Sequence, residues 1–218
     1  MTLSLFEDET GPALPPGVSL FREELSPDEQ LALLDEVAKV IATAPLYRPR
    51  MRNGTPLINQ MTNCGPWGWI SDEKGYRYED RHPVTGQKWP AIPPRILDLS
   101  ARLMREIGIE GYEPDACLVN AYGEKGRLNL HQDYDEKNFG WPIISVSLGA
   151  DGHFIVGGYA RRDPTQTVLL HSGDVVVLHG EGRTLFHGVK KVAPGTSPIA
   201  HSLFGDIARI NLTLRRAK

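Results

Sequence analysis

The sequence holds only two cysteines, Cys64 and Cys117, and they lie far apart in its 218 residues. Two such thiols make no disulfide framework, and a reducing compartment is the expectation. No run approaches the roughly 18 apolar residues that a membrane span needs. The opening, MTLSLFEDETGPALPPG, has neither the basic nor the apolar stretch of a secretory leader. A cytoplasmic protein without membrane contact is therefore expected. Charge of one sign is scarce as well. The net charge is −3, so composition carries no nucleic-acid signal. Basic residues do gather locally at Arg48, Arg50 and Arg52, at Lys125 and Arg127, and at Arg161 and Arg162, as on many solvated surfaces. Repeats and low-complexity tracts are missing. What remains, 40% hydrophobic and 23% charged, suits one domain with a real core.

Two helices are legible. Ser26 can cap, Pro27 fits the first helical position, and Glu29 completes a capping box. Leu31, Leu34, Ala38 and Ile41 then recur at helical spacing until Pro45. A second helix starts at Pro93 or Pro94, buries Ile96, Leu99, Leu103 and Ile107, and stops at Gly108. Residues 46–92 are rich in Gly, Pro, Asn and aromatics and read as loops or hairpins, the usual home of lids. From about residue 115 the chain turns β-rich: ACLVNAY, RLNLHQD, IISVSLG, HFIVGGY, QTVLLH, DVVVLHG, RTLFHGV and ARINLTLR, with turns at 149–152, 172–174 and 180–182. Some eight short strands predict a sandwich, jelly roll or barrel. The division expected is a helical, loop-rich part over 1–112 lying on a β-core over 113–218.

Chemistry enters with NLHQDYDE, Asn129 to Glu136. If the strand runs on, His131, Asp133 and Asp135 share one face. An imidazole and a carboxylate on one face suit a metal, and equally suit a solvated strand end. In DIARINLTLRR, Arg209, Asn211, Thr213 and Arg215 share a face opposite Ala208, Ile210, Leu212 and Leu214. That polar face meets water in most antiparallel strands. Turned inward, its guanidinium groups would grip a carboxylate. Leu118, Asn120 and Tyr122 offer a second such face. A third metal ligand is needed, and either His179 or His187, flanking the 180–182 turn, can supply it. Two His and one carboxylate on one side of an iron leave open positions for a 2-oxo acid and dioxygen.

An ordered set of motifs completes the reading: MTNCG from Met61, WGW, GYRY, WPAIP, PDACLVNAY, LHQDYDE, SVSLG, GDVVV, FHGV and RINLTLR. Through most of its length the chain resembles the AlkB family of Fe(II)- and 2-oxoglutarate-dependent nucleic-acid dealkylases, in particular the bacterial DNA-repair members. The resemblance implies an α+β fold, a double-stranded β-helix (jelly-roll) core with N-terminal helices and a nucleotide-recognition lid. It implies His131, Asp133 and His187 as iron ligands. It places Arg209 at the distal carboxylate of 2-oxoglutarate, with Asn120, Tyr122 and Asn211 around the cosubstrate and Arg215 near its chelating end. Trp69 would lie against the damaged base opposite His131, Met61 and Tyr76 would belong to the lid, Asp135 would reach the base edge, and Arg161 would lie near the substrate.

The implied cofactor is Fe(II), with 2-oxoglutarate and O2 as cosubstrates. The implied activity is oxidative demethylation of 1-methyladenine and 3-methylcytosine in single-stranded DNA, with double-stranded DNA and RNA as further candidates, by a monomer. Three features depart from the bacterial pattern: Thr55 where an aromatic is expected, Leu178 where Trp is common, and a longer connection over 196–208. Two other readings compete. One is a related oxygenase that hydroxylates a protein or small molecule, and the other a jelly-roll binding module without activity.

Overall fold

The computed structural model describes residues 13–218. The acidic opening over 1–12, on which the leader was judged, lies outside the described residues. Ser26 begins the first helix as its chemistry requires. Its hydroxyl accepts from the Glu29 N–H, and the Glu29 carboxylate accepts from the Ser26 N–H at 2.9 Å. This helix, α1 (Pro27–Thr43), buries Gln30, Leu33, Leu34, Val37 and Val40. Of the expected stripe, Leu34 is buried, Leu31 and Ile41 pack partly buried on the same core, and the buried face extends round to Gln30. The cause is polar: Gln30 donates to the Leu25 carbonyl at 2.8 Å and accepts from the Ser172 hydroxyl at 2.6 Å, so its amide must face inward. The second helix, α2 (Pro94–Glu106), buries Ile96, Leu99 and Leu103 as its spacing predicts, and the chain turns away at Gly108 with φ +71°.

Strands β1 (Val18–Phe21), β2 (Gln60–Cys64), β5 (Ala116–Tyr122), β7 (Ile143–Gly149), β10 (Val175–Leu178) and β12 (Arg209–Arg215) make a six-stranded sheet in the order β1-β10-β7-β12-β5-β2. Strands β6 (Leu128–His131), β8 (Asp151–Val156), β9 (Gln166–Leu170) and β11 (His187–Ala193) make a second sheet in the order β6-β11-β8-β9. Every pairing is antiparallel. Val18, Ile143, Val176 and Leu178 of the larger sheet meet Phe154, Val156 and Leu170 of the smaller one, which closes the jelly roll.

The outer face of the larger sheet carries Val119, Ile144, Val146, Ile210, Leu212 and Leu214 against the two helices. That assignment settles β12. Its apolar face belongs to the helices, so Arg209, Asn211, Thr213 and Arg215 point between the sheets, where all four are buried. The eight segments read as β fall on β5–β12, although RTLFHGV opens as a 3-10 turn, Gly180–Thr184, before β11. The stretch over 46–92 holds β2 and a separate hairpin of β3 (Gly68–Asp72) and β4 (Gly75–Glu79). With β1 and β2, the N-terminal part contributes two strands to the larger sheet itself.

Candidate metal centre and its pocket

β6 ends at His131, where it pairs directly with His187 at the start of β11. The two imidazole rings lie with centroids 4.5 Å apart, tilted by 51°. Contrary to the shared-face expectation, Asp133 and Asp135 lie beyond the strand. Asp133 turns back to the histidines, and Asp135 turns away. One ligand atom each from His131, Asp133 and His187 lies within 4.8 Å of the others. Nε2 of His187 is 3.4 Å from Asp133 Oδ2, and Nε2 of His131 is 3.7 Å from Oδ1.

The tautomers follow from the outer contacts. Nδ1 of His131 lies 3.0 Å from the Asn129 carbonyl, and Nδ1 of His187 lies 3.0 Å from the Leu185 carbonyl. A carbonyl only accepts, so each Nδ1 carries the proton and each Nε2 presents a lone pair to the centre. His131 leaves 30% of its side chain to solvent but turns Nε2 towards the buried Asp133. Burial, and then the neighbouring His187, push His131 down to about 4, so it is neutral near pH 7. Burial alone would raise the Asp133 carboxyl, but Arg215 and then the two histidines hold it well below the usual carboxylate range. Its Oδ2 is buried without a hydrogen-bond partner among the described residues. Two imidazoles with Nε2 turned inward and an ionised carboxylate with an orphaned oxygen fit a divalent iron on one face. His179, the other candidate, lies 2.9 Å from the Ser19 hydroxyl and outside this cluster.

Arg209 is 1% exposed. Its Nη1 donates to the Ala150 carbonyl at 3.0 Å and its Nη2 to the Ser147 hydroxyl at 2.6 Å. Nε has no partner, and no carboxylate pairs with this guanidinium among the described residues. Such a buried cation is suited to an anionic ligand. In the β5-β12-β7 register Arg209 stands between Tyr122 and Gly149, and Asn211 between Asn120 and Ser147. Asn211 donates to the Ser145 hydroxyl at 2.8 Å and the Val146 carbonyl at 3.0 Å. Arg215, at the far end of β12, donates to Asp133 Oδ1 at 2.9 Å and to the Tyr78 hydroxyl at 3.2 Å.

On the open side, Trp69 of β3 donates from Nε1 to Asp135 Oδ2 at 2.7 Å and has the Tyr76 ring at 5.4 Å. Tyr76 is 55% exposed. Met61 is not on this hairpin but on β2, buried and in register with Asn120. Arg161, in the β8–β9 loop, donates to the Leu130 carbonyl at 2.6 Å and lies over the Phe186 ring, so it touches the chain neighbours of both histidine ligands. Of the departing features, Thr55 is exposed and Leu178 is buried between the sheets. The 196–208 connection packs Ile199, Leu203, Phe204 and Ile207 on the helical core, away from the metal cluster.

The motifs GYRY and LHQDYDE include Tyr78 and Glu136 but gave neither a role, and nothing in the sequence singled out Arg183. Glu136 is buried, accepting from the Tyr78 hydroxyl at 2.5 Å and from Arg183 Nη2 at 2.9 Å. In the charged run DYDEKN it reads as solvated, and no local pattern marks it for burial.

A family model described as the 2OG-Fe(II) oxygenase superfamily matches residues 17–215. The chain is 44% identical over 203 residues to an alpha-ketoglutarate-dependent dioxygenase AlkB homolog of Caulobacter vibrioides, covering 93% of this chain and 89% of that one. It is 38% identical over 217 residues to the alpha-ketoglutarate-dependent dioxygenase AlkB of Salmonella typhimurium, covering 99% and 98%. The solved structure of OsALKBH1 superposes with a TM-score of 0.79 at 31% identity, covering 94% of this chain and 99% of that one.

Proposed function

The chain belongs to the AlkB family of 2OG-Fe(II) oxygenases and is an Fe(II)- and 2-oxoglutarate-dependent dioxygenase, and we propose that its substrate is an N-methylated base, 1-methyladenine or 3-methylcytosine, in single-stranded DNA. One observation carries the substrate: Trp69 is tied through Nε1 to Asp135, 2.7 Å away, and Asp135 stands two residues from the metal-side carboxylate of Asp133. An indole face and a carboxylate edge held together in this way suit a flat, cationic base. Both lesions carry positive charge at neutral pH, which an unmodified base does not.

His131, Asp133 and His187 would hold the iron. Arg209 would take the far carboxylate of 2-oxoglutarate through its unpaired Nε, with Asn120, Tyr122 and Asn211 alongside. Arg215 would sit by the chelating end while keeping Asp133 ionised. When bound, iron and 2-oxoglutarate with O2 supply oxidation of the N-methyl group, giving formaldehyde, succinate and CO2. The chain's own residues orient and enclose. The Nδ1 bonds of the two histidines fix the ligand tautomers, the buried sheet interior excludes water, and Trp69 and His131 flank the base. Met61, Tyr76 and Arg161 would border the nucleotide.

A base must leave the stack to reach this pocket, at a cost of a few kcal/mol that is least where pairing is already lost. Single-stranded substrate is therefore preferred, and RNA with the same lesion presents the same base edge. The test supplies Fe(II), ascorbate and 2-oxoglutarate with a single-stranded oligonucleotide carrying 3-methylcytosine, and follows the lesion mass beside His187→Ala. Restored cytosine in the wild type alone is the expected result. Succinate without loss of the methyl group would move the substrate to a protein or small molecule.

A further inference from the structure

The two histidine ligands face each other on a ladder, but the carboxylate ligand does not. β6 and β11 are last paired at His131 and His187, and Asp133 stands two residues past the end of β6. Side chains replace the missing ladder there. Gln132 Nε2 donates to the Thr184 carbonyl at 2.7 Å, and Arg183 Nη1 donates to the Asp133 carbonyl at 3.1 Å. Two consecutive residues of each segment thus exchange side-chain-to-carbonyl bonds, an extra rung just beyond the last true one.

Arg183 holds more than that carbonyl. Its Nε donates to the Trp141 carbonyl at 2.9 Å and its Nη2 to Glu136 Oε2 at 2.9 Å. One guanidinium, 2% exposed, therefore fastens the start, the middle and the end of the 133–141 loop to the turn that leads into His187. The arrangement needs a planar fork with donors on three nitrogens. A lysine ammonium, a single charged point on a flexible stem, cannot meet three acceptors so disposed.

We infer that Arg183, together with Gln132, is a positioning residue for the metal centre, holding Asp133 at its distance from the two histidines before any ion arrives. Neither side chain is a ligand. Their effect is on how nearly the ligands are placed in advance, and so on metal affinity.

Co(II), titrated into the full chain and followed by its visible absorption, is the probe. In Arg183→Lys and Arg183→Gln the Co(II) dissociation constant is expected to rise about tenfold or more, with altered absorption bands. Arg22→Gln is the control: it breaks the ion pair between the residue just after β1 and buried Asp174 just before β10, and should lower the melting temperature without moving the Co(II) constant. If the Arg183 variants do not fold, Gln132→Ala removes the other half of the rung from a half-buried site, and weaker Co(II) binding is expected there too. Wild-type affinity and spectrum in a folded Arg183 variant, or in Gln132→Ala, overturns the inference.

Discussion

Gly152 on β8 lies directly against the guanidinium of Arg209 on β12: a Cβ added at Gly152 would stand 2.9 Å from both Cζ and Nε of the arginine. That is too close, and Arg209 has little room to yield, because its Nη atoms are fixed on Ala150 and Ser147. Gly152→Ala is therefore expected to displace the group proposed to hold the distal carboxylate. The KM for 2-oxoglutarate should rise about tenfold or more, as small misplacements commonly cost, while the KM for the methylated oligonucleotide stays put. Succinate formation at varied cosubstrate measures it. An unchanged 2-oxoglutarate KM would remove Arg209 from the cosubstrate site.

The same arginine makes an opposite prediction for stability. Burial pushes its pKa down, which expresses the cost of a cation held without a carboxylate. Arg209→Met should leave the melting temperature of the cosubstrate-free protein unchanged or higher. It should also abolish the stabilisation that 2-oxoglutarate gives in the presence of Mn(II), about 2.7 kcal/mol at a hundred times Kd. A thermal scan with and without 2-oxoglutarate reads both. A variant still stabilised by the cosubstrate would contradict the assignment.

Glu136 is the shared counterion of two buried arginines, 2.9 Å from Arg183 and 3.5 Å from Arg215. Glu136→Ala leaves both cations short of a partner and is expected to cost about 3–5 kcal/mol. Tyr78→Phe removes the hydrogen bond to the same carboxylate and the one accepted from Arg215 but leaves every charge in place, and should cost about 2 kcal/mol. Urea unfolding of the two variants measures the difference, and equal costs would show that the charge itself contributes little.

Alkali should unfold this protein through its buried phenols. Burial pushes Tyr122 up to about 12, with Arg209 pulling it partly back, and burial also raises Tyr78. An unfolded phenol ionises near pH 10. The folded protein therefore keeps a proton that the unfolded chain loses. Stability is complete below pH 10 and declines as pH rises from there towards 12. In Tyr122→Phe the decline should be shallower. Urea midpoints at about pH 9 and about pH 11 test it, and an identical drop in both proteins would exclude Tyr122 as a contributor.

Local chemistry was legible in the sequence and long-range chemistry was not. The Ser26–Glu29 capping box and the α2 stripe are set by neighbours within four residues, and both are present as read. The alternation of β12 announced two faces. Which face lay inward depended on the helices that cover Ile210, Leu212 and Leu214, and no residue of β12 carries that information. The α1 stripe was legible only in part: Leu34 is buried and Leu31 and Ile41 pack on the core, but Gln30 is also drawn inward by Ser172, 142 residues away. His131 and Asp133 were visible as a spaced pair, but the choice of His187 over His179 came from the motif set and not from spacing. Arg183 and Glu136 lie 47 residues apart, and only the fold brings them to one ion pair.

Asp135 uses one oxygen, Oδ2, on the Trp69 indole, and has a second to offer. Two roles are thereby separable: orienting the indole, and meeting the exocyclic amino group of the base. Trp69→Phe keeps an aromatic face and removes the first role alone. Asp135→Ala removes both. If Oδ1 meets the base, Asp135→Ala should lower kcat/KM on the 3-methylcytosine oligonucleotide about tenfold beyond Trp69→Phe, the discrimination worth roughly 1–3 kcal/mol for a good base-edge contact. The double variant should then match Asp135→Ala once the lost aromatic bond is counted only once. Equal losses in the two single variants would confine Asp135 to holding Trp69, and the base edge would have to be read by another group.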